Sequence, residues 1–385
     1  MRIAIDARFY GEAGPGRYCA QLLSNLEKID MSNDYSIFLK ASNFDLYHPK
    51  NPKFKKFRAD FHWYSLAEQI IFPFILYKER FDLVHFTQIN VPLLYLKPFV
   101  VTIHDVILHE FSTERGGILS RILYRLKKIP YHLVFLKDVL LSRTIIVPSQ
   151  STRDDLLKYY DVDNNKIVVT YESVDHYPSG GTLSLKSVLD KYGIRSPYIL
   201  CLGSFYPHKN TRRLVEAFLS LKDQVLFGGQ LVLIGKESPF SAMLREFVEG
   251  EGIGDIIFPG FLHSKGYLAD DEVEAIMSKA FLYVQPALKE GFGIPPVEAM
   301  ALGIPVAVSD IPCLKEMCLE AAIYFDPESV EDMVTTLSRA LTDNSLRSEL
   351  VRKGYENIKR FSWKRMAAKT LQIYEKAGDR EIKRI

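Results

Sequence analysis

The chain has 385 residues, of which 47% are hydrophobic and 25% charged, and its formal net charge is +2. That length is more than one ordinary core requires and suits two domains, while the near-neutral balance excludes a chain built globally to hold nucleic acid. The four cysteines, Cys19, Cys201, Cys313 and Cys318, lie in apolar or helical surroundings without the close pairs that zinc sites need, and they read as reduced core thiols.

The opening MRIAIDARF runs straight into a strand pattern, with none of the charged, apolar and cleavage regions of a signal peptide, so the chain is expected in the cytoplasm. No run of ~18 or more apolar residues is present, and no segment is expected to span a bilayer. In the first half, strands are expected at Arg2 to Asp6, Tyr35 to Leu39, Leu83 to Phe86, Phe99 to Ile103, Thr144 to Val147 and Lys166 to Thr170. Tyr18, Leu22, Leu23 and Leu26 share one helical face behind the first strand. Gly14 and Gly16 flank Pro15 ahead of that helix, where a glycine loop lets backbone approach a ligand. No third glycine follows at the spacing of a dinucleotide fingerprint.

His104 ends an apolar strand and is followed by Asp105, so its ring is expected at the carboxyl edge of a sheet, as a structural histidine or as a site residue. His85, at another strand end, reads as structural. From Arg115 to Lys137, the basic residues Arg115, Arg121, Arg125, Lys127 and Lys128 interleave with apolar ones. Such a helix either packs on the core with its basic face in solvent or lies in an anionic membrane interface, with Lys55, Lys56 and Arg58 adding charge nearby.

Pro178 to Ser184 clusters breakers and small polar residues and reads as a linker. A second alternation follows, with strands expected at Tyr198 to Leu202, Leu231 to Ile234, Ile256 to Pro259, Leu282 to Gln285, Pro305 to Val308 and Ala322 to Phe325. The fold class is therefore α/β, with two Rossmann-like domains, residues 1–178 and 186–360, expected to face each other across a cleft. Residues 361–385 form a final helix free to pack back on the first domain.

The densest chemical pattern is Glu290-Gly-Phe-Gly-Ile-Pro-Pro-Val-Glu298. Pro295 or Pro296 can occupy the first turn of a helix, which places Glu298 in that turn. The amides of Phe292, Gly293 and Ile294 then lack intrahelical partners and lie between two carboxylates, an arrangement suited to a polyol phosphate or to a simple capped turn. Lys209 precedes Asn210, a candidate N-cap. Neither cluster has metal-ligand spacing, and neither an aspartate-x-aspartate clamp nor a cofactor motif is present.

These strings resemble the retaining glycosyltransferases of the two-Rossmann-domain (GT-B) architecture, family 4. The resemblance is carried by EGFGIPPVEAMALGIPVAVSD from Glu290, by Gly203-Ser-Phe-Tyr-Pro-His-Lys209-Asn210, by IDARFYGEAGPGRY, by Thr102-Ile-His104-Asp105 and by Val147-Pro-Ser-Gln-Ser-Thr-Arg-Asp-Asp. It implies a nucleotide-sugar donor as substrate and a glycan or lipid-linked acceptor, with no metal and no cofactor. It assigns His104, Lys209 and Glu290 to the reaction, and Gly14, Gly16, Ser204, Lys209, Glu290, Phe292, Gly293, Ile294 and Glu298 to the donor. Ser204 departs from the arginine common there, so phosphate stabilisation rests more on Lys209, on the helix N-terminus, or on a substitute such as Arg17, Arg212 or Lys236. The resemblance is strongest to mannosyltransferases of bacterial surface-polysaccharide assembly, so GDP-mannose is the first expected donor, with UDP-hexoses and deoxysugar donors as alternatives. A nucleotide-sugar epimerase or a phosphorylase can share the architecture. With the cytoplasmic location expected from the N-terminus, the basic helix would bring the enzyme to the inner face of the membrane.

Overall fold

Strands buried on both faces must be apolar along their whole length, and the short β-branched runs of this chain supply them. The computed structural model describes residues 1–63, 65–111, 118–174, 185–224, 226–250, 252–263 and 266–379, with the backbone alone at 13 and 118–127. The chain divides into two compact units. Unit 1 comprises Met1–Val106, Glu114–Glu172 and Ser362–Ile385, and unit 2 comprises Ile107–Thr113 and Ser173–Phe361.

Unit 1 holds β1 (Arg2–Asp6), β2 (Asp34–Leu39), β3 (Phe54–Arg58), β4 (Leu83–Phe86), β5 (Phe99–Thr102), β6 (Thr144–Val147) and β7 (Ile167–Val169). They form one sheet in the order β3-β2-β1-β4-β5-β6-β7, and every pairing is parallel. Unit 2 holds β8 (Tyr198–Leu202), β9 (Gln230–Ile234), β10 (Ile256–Ile257), β11 (Leu282–Gln285), β12 (Val306–Ser309) and β13 (Ile323–Phe325). Their order is β10-β9-β8-β11-β12-β13, again all parallel. In each sheet the strand order reverses beside the first strand, between β1 and β4 and between β8 and β11. Loops diverge there and leave a crevice at the carboxyl ends.

Several details differ from the sequence expectation. β3 was not anticipated, because its FKKFR string reads as a charge cluster. It is an edge strand, where lysines cost little and discourage further pairing, and Lys56 and Arg58 lie over the Phe44 ring. β10 is only two residues long, because Pro259 opens the short helix Pro259–Leu262. The helix Ala13–Ile29 starts well before Tyr18, so Gly14 and Gly16 belong to its first turn and not to a loop ahead of it. Gly16 is required there by contact: a Cβ would meet the Phe9 carbonyl oxygen at 2.3 Å. The expected linker, residues 178–184, and Arg115 lie outside the described residues.

The helix Trp363–Gly378 belongs to unit 1 and packs against helix Ala13–Ile29. Ser362 caps it by accepting from the Arg365 amide. Its buried Tyr374 hydroxyl meets His85 Nδ1 at 2.6 Å, and His85 Nε2 meets Thr102 Oγ1 at 2.8 Å. Burial, helped by the charge of His104, pushes the His85 pKa down to about 3. The ring is therefore neutral in the fold, while an unfolded histidine titrates near ~6.5. Between those values the unfolded chain binds more protons, so His85's share of stability is complete above ~6.5 and is lost as pH falls toward about 3. Tyr374→Phe is expected to lower the unfolding free energy by about 1–3 kcal/mol at neutral pH, because a buried ring nitrogen loses its partner. Urea denaturation measures the loss. His85→Gln is expected to flatten the acid-side decline in melting temperature, and a pH profile unchanged from wild type would refute the assignment.

Candidate active site

β8 ends at Leu202 and the chain turns through Gly203 and Ser204 to a short 3-10 turn, Pro207–Lys209. β11 ends in Gln285 and the chain then runs through Ala287 and Glu290 to the helix Ile294–Ala301. These two loops leave neighbouring strands at the point where the strand order reverses. Lys209 and Glu290 meet there: Nζ donates to both carboxylate oxygens, at 2.7 and 2.8 Å. Gln285 Nε2 donates to Glu290 Oε1 at 2.7 Å, and the Tyr283 hydroxyl donates to Gln285 Oε1 at 2.5 Å. The result is a buried relay of fixed dipoles that ends at a cation only 20% exposed. Ser204, Lys209, Thr211 and Gln285 line the depression above it.

Asn210 joins the same two loops. It occupies the position before helix Thr211–Asp223, but its side chain does not cap that helix. Instead, Nδ2 donates to the carbonyls of Pro286 and Pro327, at 3.0 and 2.7 Å. Its backbone is left-handed, with φ of 56°, a conformation that asparagine tolerates better than most residues. The Leu288 amide bonds the His208 carbonyl and completes the stitch. Burial, then the charge of Lys209, pushes the His208 pKa down to about 3.

Glu298 corrects an expectation. Gly293, left-handed with φ of 85°, is the N-cap, and Ile294 with Pro295 opens the helix. Glu298 is thus the fifth helical residue, with no acidic side chain in the first turn. Helix-dipole stabilisation, which fades beyond the first turn, does not extend to it. It is buried, and its charge acts on Tyr283. Burial, followed by Cys201, Glu290 and Glu298, drives that hydroxyl's pKa well above the ordinary value. The amides of Gly293 and Ile294 stand at the helix N-terminus, where no intrahelical carbonyl can reach them. Phe292 turns its ring onto Phe361, with centroids 5.5 Å apart, so its side chain serves packing.

In unit 1, His104 follows β5 and is nearly buried. Nδ1 is 3.1 Å from Glu172 Oε1 and Nε2 is 3.0 Å from the Thr87 carbonyl. Burial opposes its charge, but the hydrogen bond and charge of Glu172, with the Thr87 carbonyl and Asp105, outweigh it and raise the pKa. A ring engaged by two acceptors suits a fixed N–H donor better than a proton acceptor. Its edge contacts Tyr18 of helix Ala13–Ile29, at 4.9 Å between centroids. Gly14, exposed, and Gly16, buried, lie in the first turn of that helix. His104, Gly14 and Gly16 thus belong to unit 1, and the other anticipated site residues belong to unit 2. Gln285, Tyr283 and Glu172 were not anticipated as site residues.

Residues 190–357 match the family described as Glycosyl transferases group 1, and residues 14–177 match Glycosyltransferase Family 4. Together the two matches span most of the chain. It belongs to these glycosyltransferases. Among curated relatives, O-antigen chain mannosyltransferase B of Escherichia coli is 27% identical over 73% of this chain and 71% of its own. O-antigen chain mannosyltransferase RfbU of Salmonella typhimurium is 27% identical over 69% of this chain and 67% of its own. Among solved structures, Anabaena Alr3699/HepE in complex with UDP-glucose superposes with a TM-score of 0.73 at 14% identity, over 98% of this chain and 100% of that one. The glycosyltransferase WaaG superposes at 0.69 with 17% identity, over 96% and 99%. These superpositions establish the GT-B fold.

In this glycosyltransferase Ser204 is half-buried at the β8 edge. Of the cations weighed as replacements for an arginine there, Arg212 pairs with Glu216 and covers Phe247, and Arg17 belongs to unit 1. Lys236 is exposed just past β9, whose Ile234 carbonyl accepts from the Gly203 amide at 2.9 Å. Lys236 is thus the candidate that stands on the same sheet edge. Among the described residues, no group of three or more His, Cys, Asp or Glu is placed to hold a metal ion.

Asn210 gives this geometry a clean test. Asn210→Ala and Asn210→Gly both delete the bonds to Pro286 and Pro327, but only glycine keeps the left-handed backbone at low cost. Alanine is expected to destabilise unit 2 by about 1 kcal/mol more than glycine. Thermal denaturation of the two variants measures the difference, and equal melting temperatures would refute the backbone argument.

Proposed function

We propose that the chain is a retaining hexosyltransferase that moves mannose from GDP-mannose onto a glycan or lipid-linked oligosaccharide acceptor in surface-polysaccharide biosynthesis, working in the cytoplasm. The observation that carries this reading is the Lys209–Glu290 pair at the reversal point of the second sheet, beside the N-terminus of helix Ile294–Ala301. A departing nucleoside diphosphate gains charge as its bond to the sugar breaks, and donors already fixed in place stabilise that charge without reorganising. Lys209 is fixed by Glu290, and Glu290 by Gln285.

In the proposed reaction the bond from the anomeric carbon to the diphosphate oxygen breaks first, leaving an oxocarbenium-like centre. The acceptor hydroxyl oxygen bonds that carbon on the same face, and its proton passes to the departing phosphate. Glu290 orients the sugar, Glu298 holds the ribose hydroxyls, and the amides of Phe292, Gly293 and Ile294 take anionic oxygens. His104 is not a base: it exchanges the Thr87 carbonyl for the sugar and donates its Nε2–H there, while Glu172 keeps Nδ1. Gly14, exposed with open space around it, lets the first turn of its helix approach the substrate, and Gly16 seats that turn against the Phe9 carbonyl. Charge on the diphosphate is assigned to Lys209 and these amides, so turnover does not call on a metal. The mannosyl donor is supported by the two O-antigen mannosyltransferases among the relatives.

Purified protein is to be incubated with GDP-mannose, UDP-hexoses and deoxysugar donors, with and without acceptor, while nucleotide release and product anomer are followed. Turnover with GDP-mannose that needs acceptor, keeps the α configuration and survives EDTA is expected. Release with a UDP-sugar alone would overturn the donor, an inverted product would overturn retention, and acceptor-free conversion would favour an epimerase. Lys209→Ala is expected to lower kcat by at least about tenfold, or 1.4 kcal/mol, with a smaller change in donor affinity. A variant within about twofold of wild type would move the role to another cation.

A further inference from the structure

We infer that unit 1 docks on an anionic bilayer through an apolar face built from two helices and the loop between them. Leu66, Ile70 and Phe74 recur along one side of helix Leu66–Glu79 and are 80%, 60% and 69% exposed. In helix Ile118–Leu141, Ile129, Leu133, Leu136 and Leu140 recur at the same helical interval, and each is more than 40% exposed. A helix that only packed on the core would turn such a stripe inward.

The two stripes belong to one surface, because the segment after β4 is bonded to both helices. Its Leu93 amide donates to Gln69 Oε1 at 2.7 Å, and its Leu96 amide donates to the Tyr77 hydroxyl at 2.9 Å. On the other side the Lys137 ammonium donates to the Pro92 carbonyl at 2.6 Å. Leu94 and Leu96, 58% and 71% exposed, fill the seam. Lys137, which closes the basic stretch, is buried beneath this surface, and burial lowers its pKa to about 8. Monomeric soluble proteins rarely leave a connected apolar face of this extent without a partner.

Charge selects the occupant. Lys78, Arg80 and Lys97 are exposed at the border of the face. Across residues 66–80, 88–98 and 128–141 the acidic side chains are Glu68 and Asp138, both fully buried, and Glu79, which holds Arg2. An isologous dimer would bring these positive borders toward one another, which disfavours a second copy. A bilayer with anionic headgroups accepts both features, with the leucines in the acyl boundary and the cations among the phosphates.

The face is tested without donor or acceptor, so the result does not depend on the proposed reaction. The full chain is sedimented with phosphatidylcholine vesicles with or without phosphatidylglycerol, at low and high salt. Binding to the anionic vesicles at low salt is expected, weakened by salt and weaker on phosphatidylcholine alone. A Phe74→Ser/Leu96→Ser double variant, which alters only exposed side chains, is expected to bind at least about tenfold more weakly at an unchanged melting temperature. The proposal is overturned if wild type stays in the supernatant with anionic vesicles, or if the double variant binds as well as wild type. It is also overturned if sedimentation equilibrium finds a dimer that the same two substitutions dissociate.

Discussion

The ion pair between Lys209 and Glu290 fixes the chemical groups of the second sheet's crevice, since each partner sits on a different loop leaving a neighbouring strand. A partly buried pair gains little net stability by itself, because desolvation offsets most of the attraction. What it supplies is placement. Glu290 takes one oxygen to Gln285 as well as to the lysine, and Gln285 is held by Tyr283 from within β11. The position of the ammonium is therefore referred back to a buried strand. Asn210 adds a neutral stitch between the same loops, so their separation is specified by hydrogen bonds from two side chains and by the backbone bond from Leu288 to His208.

The first sheet solves the equivalent problem differently. Arg8, fully buried just past β1, donates from Nε and Nη2 to the two oxygens of Asp6, at 2.8 and 2.7 Å. Nη2 also reaches Glu68 at 2.7 Å, and Asn90 bonds both carboxylates. The guanidinium lies 4.6 Å from the centre of the Phe72 ring. One cation shared by two carboxylates, all beneath the surface, ties β1, helix Leu66–Glu79 and the segment after β4 into a single block. The IDAR string, part of what made the family legible, is scaffold in this fold.

Much of the architecture could be read from the sequence because parallel strands are nearly uniform in their apolarity: the runs at β1, β8 and β11 announce themselves. β3 did not, since an edge strand tolerates lysines that a central one would reject. The carboxylates of the site were legible through the string around Gly293, but the register of its helix was not. That depended on Gly293 adopting a left-handed conformation and capping the helix, which then opens at Ile294, so the first turn closes at Val297 and Glu298 falls beyond it. Gln285 and Glu172 escaped notice for a related reason. Each is a single polar residue at the end of or just past an apolar strand; the turn after β11 brings Gln285 to Glu290, and the packed sheet brings Glu172 to His104.

Unit 1 is assembled from three stretches of chain, and its last is the helix Trp363–Gly378. On a ribosome, residues 173–361 must be made before that helix exists. The hydroxyl of Tyr374 and the ring of His85 are 289 positions apart in sequence, yet they share one short bond in the core. Until the final turns emerge, the faces of helix Ala13–Ile29, β4 and β5 that they cover remain open to water. Unit 2 has all its strands in hand by then. The nascent chain is therefore expected to mature out of order, with the unit encoded second completed first.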